Sequence, residues 1–219
     1  CDVNITLNNR ESKLFSKFYK KQPDLELPIY MKESNSIKEI NDNTDEFKIL
    51  FVGAYYYPNG EGIRWVCSKV MKSLDPKCKL YIVGKGMEVL REELETGQVE
   101  VVGTADDLSY YYNLSNVVVA PIFDGGGMKV KTAEAFMFGK NFIGSDESLI
   151  GYKEYIPWGL LDKNVYVANT PEEYINAINS LRNNDDEKIN EEIREMYRKN
   201  YSNNCALEKL SNLISKLNS

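Results

Sequence analysis

The stretch that most constrains the fold is residues 117–144, which read VVVAPIFDGGGMKVKTAEAFMFGKNFIG. Its first apolar run, residues 117–122, is long enough for one buried strand. Three glycines follow, and then good helix formers over residues 128–138, closed by Gly139. A second apolar run, residues 141–144, predicts the next strand. The stretch therefore predicts a strand, a glycine loop, a helix and a strand, which together make a βαβ unit.

The glycine loop of this unit has the features of an anion site. Gly125, Gly126, Gly127 and Met128 lead into the predicted helix, and the dipole at a helix N-terminus favours a bound anion. Lys129 and Lys131 add positive charge there, and Glu134 lies further along the helix. These residues predict a site for a phosphate that carries a hydroxylated group. The alternative is that the glycines only make a tight turn.

From Phe47 onward, predicted strands and helices alternate along the chain. The predicted strands are residues 47–52, 79–83, 99–102, 117–122, 141–144 and 165–168. The predicted helices are residues 61–74, 87–95, 108–114 and 128–138, with another that begins after Thr170–Pro171. Alternation of this kind predicts an α/β fold with a doubly wound parallel sheet and right-handed crossovers.

Several glycines follow these predicted strands directly. Gly53, Gly84, Gly103 and the glycine loop all come where a strand ends. In a parallel sheet these positions share one edge, which is where ligands of doubly wound folds bind. We therefore predict a ligand crevice at this edge. The spacing GxGxxG of dinucleotide-binding folds is not completed at either Gly84–Lys85–Gly86 or the glycine loop.

The run from Gly125 to Gly139 resembles the donor-site motif of GT-B glycosyltransferases, specifically retaining family 4, or glycosyl transferases group 1. The segments ILFVG, PNGEG, LYIVGKG, VVGTADDL and VVVAPI are similar, in order, to landmarks of the C-terminal domain of that fold. The resemblance covers residues 47–150 well and the ends loosely. It implies the Rossmann-like, donor-binding half of a hexosyltransferase that moves a sugar from a nucleotide-diphosphate sugar to an acceptor with retention.

The resemblance also implies roles for individual residues. Loop amides would hold the donor diphosphate, Lys129 and Lys131 would stabilise its charge, and Glu134 would bind the ribose. Family members often have a second glutamate near the transferred sugar, but this sequence has Gly126 there, with Asp124 as a nearby substitute. The catalytic residues are therefore not assigned beyond the two lysines.

Neither a metal nor another cofactor is expected. An acidic pair, Asp106–Asp107, resembles the metal-binding pair of other glycosyltransferases, but a helix N-cap before Leu108 is the favoured interpretation. Histidine is absent, and the four cysteines show no CxxC spacing, which argues against a Cys/His zinc site.

Three parts of the chain are predicted. Residues 1–46 comprise a strand over 2–7, a helix to Tyr19, a strand over 25–29 and a polar linker, and they resemble the end of a GT-B N-terminal domain. Residues 47–182 form the nucleotide-sugar-binding domain, and residues 183–219 are C-terminal helices. The resemblance implies that the rest of the N-terminal domain is missing and that residues 1–219 alone transfer no sugar. The alternative for residues 1–46 is an α/β extension packed on one domain.

Composition and charge exclude other classes of protein. The net charge is −6 with a pI near 5.0, which argues against general binding to nucleic acid or anionic membranes. No apolar run approaches the roughly 20 residues of a membrane span, and the start of the sequence lacks the pattern of a signal peptide. We expect a cytoplasmic protein, with peripheral attachment at the inner membrane face left open. Its expected partners are a nucleotide-sugar donor and a saccharide or lipid-linked acceptor.

Two other functions remain open from the sequence. One is a non-catalytic nucleotide-sugar-binding module or subunit. The other is a nucleotide-sugar epimerase, which shares the GT-B fold, although the absence of histidine weakens this alternative.

Overall fold

The structure is a computed structural model that describes residues 3–40, 43–184 and 188–217. Asp2, at the start of the first predicted strand, lies outside the described residues, and so do residues 185–187, between the last predicted helices. The strands are β1 (Ile5–Thr6), β2 (Leu25–Glu26), β3 (Phe47–Val52), β4 (Cys78–Val83), β5 (Val99–Gly103), β6 (Val117–Ala120), β7 (Asn141–Gly144) and β8 (Val165–Val167). The α-helices are α1 (Asn9–Tyr19), α2 (Tyr57–Trp65), α3 (Arg91–Leu94), α4 (Leu108–Leu114), α5 (Val130–Met137), α6 (Pro171–Asn183), α7 (Glu191–Tyr201) and α8 (Asn203–Leu217).

Six strands form one parallel sheet in the order β5-β4-β3-β6-β7-β8. The chain runs outward from β3 to β5, returns to pair β6 with β3, and then runs outward again to β8. The order therefore reverses between β3 and β6, and the carboxyl ends of these two strands flank a topological switch point. This arrangement confirms the predicted doubly wound parallel sheet. β1 and β2 form a separate two-stranded parallel sheet.

The core lies on both faces of the sheet because its strands are almost continuously apolar. On one face, Ile49 and Phe51 pack with buried residues of α2 and α6. On the other face, Leu50 and Val52 pack with buried residues of α4, α5 and α7. Residues that alternate along β3 thus bind helices on opposite sides, which fixes the sheet between two helical layers.

Two predicted helices have different bounds or helix types in the structure. The helix predicted from residue 61 begins at Tyr57, because Pro58 occupies the first turn, where its missing N–H costs nothing. The same helix continues as a π-helix, Val66–Val70, and a 3₁₀ turn, Met71–Ser73. The helix predicted over residues 87–95 is a 3₁₀ turn followed by α3.

The segment predicted as a polar linker has no regular helix or strand in its described residues, but it is bonded to the rest of the chain. The Asn113 side chain accepts from the Lys38 N–H at 3.1 Å and donates to the Ser36 carbonyl at 2.6 Å. Glu33 forms ion pairs with Arg194 at 2.7 Å and Arg198 at 3.0 Å. Side-chain bonds to polar groups therefore hold a segment that has few apolar residues.

Two helices leave apolar side chains exposed. On α1, Leu14 is 48% exposed and Phe18 is 73% exposed. On α8, Leu207, Ile214 and Leu217 are exposed as well. Both helices thus present apolar surface that the described residues do not cover.

Gly84 follows β4 at the predicted ligand edge and lies against the backbone of Gly53, which follows β3. We expect its substitution to have a large effect on stability. Its φ is +148°, and an added Cβ would lie 2.1 Å from the carbonyl oxygen of Gly53, a backbone atom that cannot swing aside. We expect Gly84→Ala to lower the free energy of unfolding by about 3 kcal/mol, at the upper end of the cost of overpacking. Urea denaturation measures this change.

Gly97→Ala is the matched control, because nothing lies within 4 Å of a Cβ added there. We expect the control to change stability by no more than about 0.5 kcal/mol, as for an ordinary surface substitution. Equal losses in the two variants would contradict the close-contact explanation of Gly84.

Candidate functional site

The candidate site lies at the carboxyl edge of the sheet, beside the switch point between β3 and β6. Gly53 follows β3, the glycine loop (Gly125–Gly127) follows β6, and residues 145–150 follow β7. Because all six strands are parallel, the structure brings the predicted Gly53, Gly84, Gly103 and glycine loop to one edge. Residues 145–150 lie at the same edge and were not predicted.

The glycine loop is open and leads directly into α5. Nothing lies within 4 Å of a Cβ added at any of its three glycines. The Gly125 N–H donates to Asp124 Oδ1 at 2.7 Å, whereas the N–H groups of Gly126, Gly127 and Lys131 have no hydrogen-bonded acceptor among the described residues. The helix begins after Lys129 without a side-chain cap. Its N-terminus therefore offers free donors and a positive dipole end to an anion.

The other predicted glycines have close neighbours within the protein. A Cβ added at Gly103 would lie 2.7 Å from Glu88 Oε2, and one added at Gly53 would lie 2.8 Å from Lys131 Nζ. Together with Gly84, these glycines let strand ends and side chains approach each other at the edge. The Met128 side chain is buried in the core against Gly151, so only its backbone faces the loop.

Lys129 lies on the β7 side of the site. Its buried Nζ donates to the carbonyl of Gly127 at 2.8 Å and forms an ion pair with Glu147 at 3.1 Å. The ammonium is thus held beneath the loop by a carbonyl and a carboxylate.

Lys131 points the other way, toward β3. Its Nζ donates to Asn59 Oδ1 at 2.7 Å and lies 4.1 Å from the centre of the Phe51 ring. Burial lowers the pKa of Lys131 to about 7, with the charge of Glu134 opposing and that of Lys129 adding to the shift. The two lysines at the start of this helix therefore have different surroundings, because Lys129 contacts the glycine loop and Lys131 contacts residues near β3. The pKa of Lys131 lies near neutral pH.

Glu134 lies one turn further along α5. Its Oε2 accepts from the Tyr112 hydroxyl at 3.0 Å. Burial raises the pKa of the Glu134 carboxyl, while the Tyr112 hydrogen bond and the nearby Lys131 oppose this shift. The side chain remains partly exposed, so the carboxylate is accessible to a ligand beside the helix.

Sequence reasoning missed three residues of this site. Asn59 accepts a hydrogen bond from Lys131 and donates one to the Ala54 carbonyl at 2.7 Å. Glu147 forms an ion pair with Lys129. Tyr112 donates a hydrogen bond to Glu134. The position of Glu147 directly after β7, at the ligand edge, was a usable signal. Tyr112 is the last of three consecutive tyrosines, residues 110–112, and no sequence pattern links it to α5.

A cleft of about 540 Å³ adjoins the site between α1 and the residues after β7. Arg10, at the start of α1, reaches across it to Glu147 at 3.1 Å. Glu147 therefore bridges α1 and the glycine loop through Lys129. Another cavity, of about 740 Å³, lies along β5 and is remote from the glycine loop.

One residue of the acidic pair at positions 106–107 has a structural role. Asp107 caps α4 by accepting from the Ser109 N–H at 2.9 Å, as the N-cap interpretation predicts. Within the described ranges, no group of three or more Cys, Asp or Glu side chains is arranged to hold a metal ion. None of the described helices is both long and apolar enough to cross a bilayer.

The fold is a doubly wound parallel α/β sheet with an open helix N-terminus at its switch point, and comparison with known families gives its class. Residues 46–184 match the family model of glycosyl transferases group 1. This match covers more than half of the chain, and the chain therefore belongs to that family. No curated protein sequence gives a match.

Solved structures show the same fold. A glycosyltransferase from Rickettsia africae has a TM-score of 0.75 at 14% identity, with 98% of this chain and 63% of that chain covered. Anabaena HepE, solved in complex with UDP, has a TM-score of 0.75 at 12% identity, with 99% and 64% covered. TarM of S. aureus, solved with fondaparinux, alpha-GlcNAc-glycerol and UDP, has a TM-score of 0.75 at 18% identity, with 97% and 43% covered.

These likenesses establish the fold, and the chain spans less than two thirds of each of these three structures. The resemblance to glycosyl transferases group 1 is thus confirmed at the level of family and fold.

Proposed function

We propose that this chain binds the nucleotide-diphosphate sugar of a retaining glycosyltransferase of the hexosyltransferase type. The observation that carries the proposal is the open helix start of α5, where free backbone donors lie between two oppositely placed lysines. A diphosphate has two charged groups, and Lys129 and Lys131 can each approach one of them. The chemistry of the site thus fits a diphosphate better than a single carboxylate.

In the proposed reaction, the bond between the sugar C1 and the donor diphosphate oxygen breaks. The bonding electrons leave with the diphosphate, while the oxygen of an acceptor hydroxyl bonds to C1 and its proton passes to the departing diphosphate oxygen. Negative charge therefore grows on the diphosphate. The loop amides and both ammonium groups stabilise that charge, and such preorganised stabilisation is often the largest catalytic term.

Glu134 is proposed to bind the ribose of the same donor. The diphosphate would lie at the N-terminus of α5, and Glu134 lies one helical turn along, which is the direction in which the nucleoside would extend. An ionised carboxylate accepts hydrogen bonds from both ribose hydroxyls. The charge needed for the diphosphate comes from the two lysines, so we propose that donor binding needs no metal ion.

The acceptor, a saccharide or a lipid-linked sugar, is proposed to bind across the cleft beside α1. The exposed apolar residues of α1 and α8 support the proposal that further structure covers them, and this chain covers only 63% of the Rickettsia africae glycosyltransferase. We therefore propose that residues 1–219 bind donor but transfer no sugar alone. The free thiols of Cys67, Cys78 and Cys205 agree with a proposed cytoplasmic location.

A thermal-shift screen tests the proposed function. Nucleoside diphosphates of several bases, and their sugars, are added with a chelator present. At least one should raise the melting temperature in a concentration-dependent way, because ligands that bind only the native state stabilise it. The corresponding nucleosides should raise it much less. The absence of any shift at millimolar concentrations would contradict the proposal.

Nucleoside diphosphate binding should depend on pH through Lys131. The protonated lysine binds the anion, so above its pKa of about 7 each binding event takes up a proton. Affinity should then fall by up to about tenfold per pH unit between roughly pH 7.5 and 9, by linkage. Calorimetry in buffers of different ionisation enthalpy measures the proton uptake.

Lys131→Arg is the control for this pH dependence, because a guanidinium stays charged throughout the range. We expect it to bind without proton uptake between pH 7.5 and 9. Proton uptake that persists in the arginine variant would assign the effect to another group.

A further inference from the structure

The Tyr112 hydroxyl is fixed more firmly than most side-chain donors. The residue is 1% exposed, and its ring stacks on Phe138 with centroids 4.7 Å apart and an interplanar angle of 7°. Ser115 Oγ donates to the Tyr112 carbonyl at 3.0 Å at the end of α4. The ring cannot swing away without opening the packing of α4 against α5.

This hydroxyl fixes only one oxygen of the Glu134 carboxylate. Its bond to Oε2 is 3.0 Å long, and among the described residues nothing donates to Oε1. A glutamate side chain has several rotatable bonds, and ordering such a side chain on binding costs free energy. A hydrogen bond formed during folding removes part of that cost before a ligand arrives, which is the support that precise binding sites need.

We propose that Tyr112 is a positioning residue for ribose recognition: it aims the Glu134 carboxylate at the 2′ and 3′ hydroxyls of the bound nucleotide. This inference rests on the proposed function. The selectivity for ribose over deoxyribose then depends on both Tyr112 of α4 and Glu134 of α5, and not on Glu134 alone.

The pair also sets the charge on Glu134. The titratable groups that act on this carboxyl are Tyr112 from α4, Lys131 from α5 and Tyr152 from the segment after β7. Burial raises the pKa of Glu134, and the Tyr112 hydrogen bond lowers it because it stabilises the ionised form. Loss of that hydroxyl should raise the pKa of Glu134. As the solution is acidified, Glu134 would then become protonated, and ribose recognition would be lost, at a higher pH than in the wild type.

Tyr112→Phe tests the proposal, because it removes one oxygen and keeps the stacked ring. Calorimetry gives the dissociation constants of a ribonucleoside diphosphate and its 2′-deoxy analogue as a function of pH. We expect the ratio of the two dissociation constants, which measures selectivity for ribose, to fall about fivefold, a fraction of the value of a charged hydrogen bond. We also expect the acid limb of this ratio, which is its decline at low pH, to move to higher pH. Tyr111→Phe, on the same helix, should change neither.

A second variant covers the case in which Tyr112→Phe does not fold. Site-specific 3-fluorotyrosine at residue 112 keeps the ring and makes the hydroxyl a stronger donor, so the acid limb should move to lower pH. In a Glu134→Ala background, Tyr112→Phe should have no further effect on selectivity.

Different results would contradict the positioning role of Tyr112 and the proposed function. If Glu134→Ala abolishes ribose selectivity while both residue-112 variants keep the wild-type ratio and acid limb, the positioning role is wrong and the proposed function stands. If Glu134→Ala itself leaves selectivity unchanged, the ribose part of the proposed function is wrong, and the positioning role is wrong with it.

Discussion

Replacement of both Lys129 and Lys131 with alanine should weaken nucleoside diphosphate binding by 100-fold or more and leave nucleoside binding nearly unchanged. Hydrogen bonds to charged groups contribute about 1.5–3 kcal/mol each, and about 1.4 kcal/mol corresponds to a tenfold change in affinity. Both ammonium groups are buried at the helix start, so solvent screens their attraction to a phosphate less than at the surface. Calorimetric titration of each variant measures the two affinities.

The single variants should differ, because the two lysines have different partners. Lys129 already forms an ion pair with Glu147, so a phosphate competes with a carboxylate for it. Lys131 is bonded to the neutral Asn59 amide, and a phosphate displaces no charge there. We expect Lys131→Ala to cost more affinity than Lys129→Ala at neutral pH or below.

Lys85→Ala is the matched control, since Lys85 is exposed at the same edge of the sheet after β4. It should change diphosphate affinity by less than about threefold, as for a solvent-screened charge. Equal losses for nucleoside and nucleoside diphosphate in the double variant would contradict the charge assignment.

Glu134→Ala should weaken nucleotide binding by about 10- to 150-fold, again the value of charged hydrogen bonds. It should also erase the preference for ribose over 2′-deoxyribose, because the carboxylate would be the group that distinguishes them. The fold should survive, since the side chain is partly exposed and its removal leaves the Tyr112 hydroxyl as the main unpaired group.

Titrations with both sugars separate this role from a structural one. If Glu134 were only a helix surface residue, the variant would discriminate between ribose and deoxyribose as the wild type does. Glu172→Ala is a control on α6, where an exposed acidic residue of a helix start is removed away from the site.

The sheet could be predicted from sequence because its signals are local. Each strand of the main sheet is a short apolar run that ends near a glycine or a polar turn. The pair Thr170–Pro171 marks the start of α6, where Thr170 is the N-cap and forms a capping box with Glu173. The resemblance then placed Lys129, Lys131 and Glu134 on one βα junction. In the structure, Lys129 and Lys131 lie at the start of α5, and Glu134 lies one turn further along the same helix.

What the sequence did not predict depends on contacts between distant residues. Asn59 reaches Lys131 across 72 positions, and Tyr112 reaches Glu134 across 22. The sequence also does not specify which partner each lysine contacts, because residues two apart on a helix face different ways and only packing decides their contacts. Likewise, the polar linker was expected to be solvated, and its bonds to Asn113 depend on the tertiary fold.

We propose that the diphosphate of the donor binds at the glycine loop and the start of α5. The most direct measurement is an NMR titration of ¹⁵N-glycine-labelled chain with a nucleoside diphosphate that gives a thermal shift. We expect saturable shifts of the Gly125, Gly126 and Gly127 amides, with Gly97 and Gly159 unmoved. Saturable shifts confined to other glycines, with the loop amides unchanged, would contradict it.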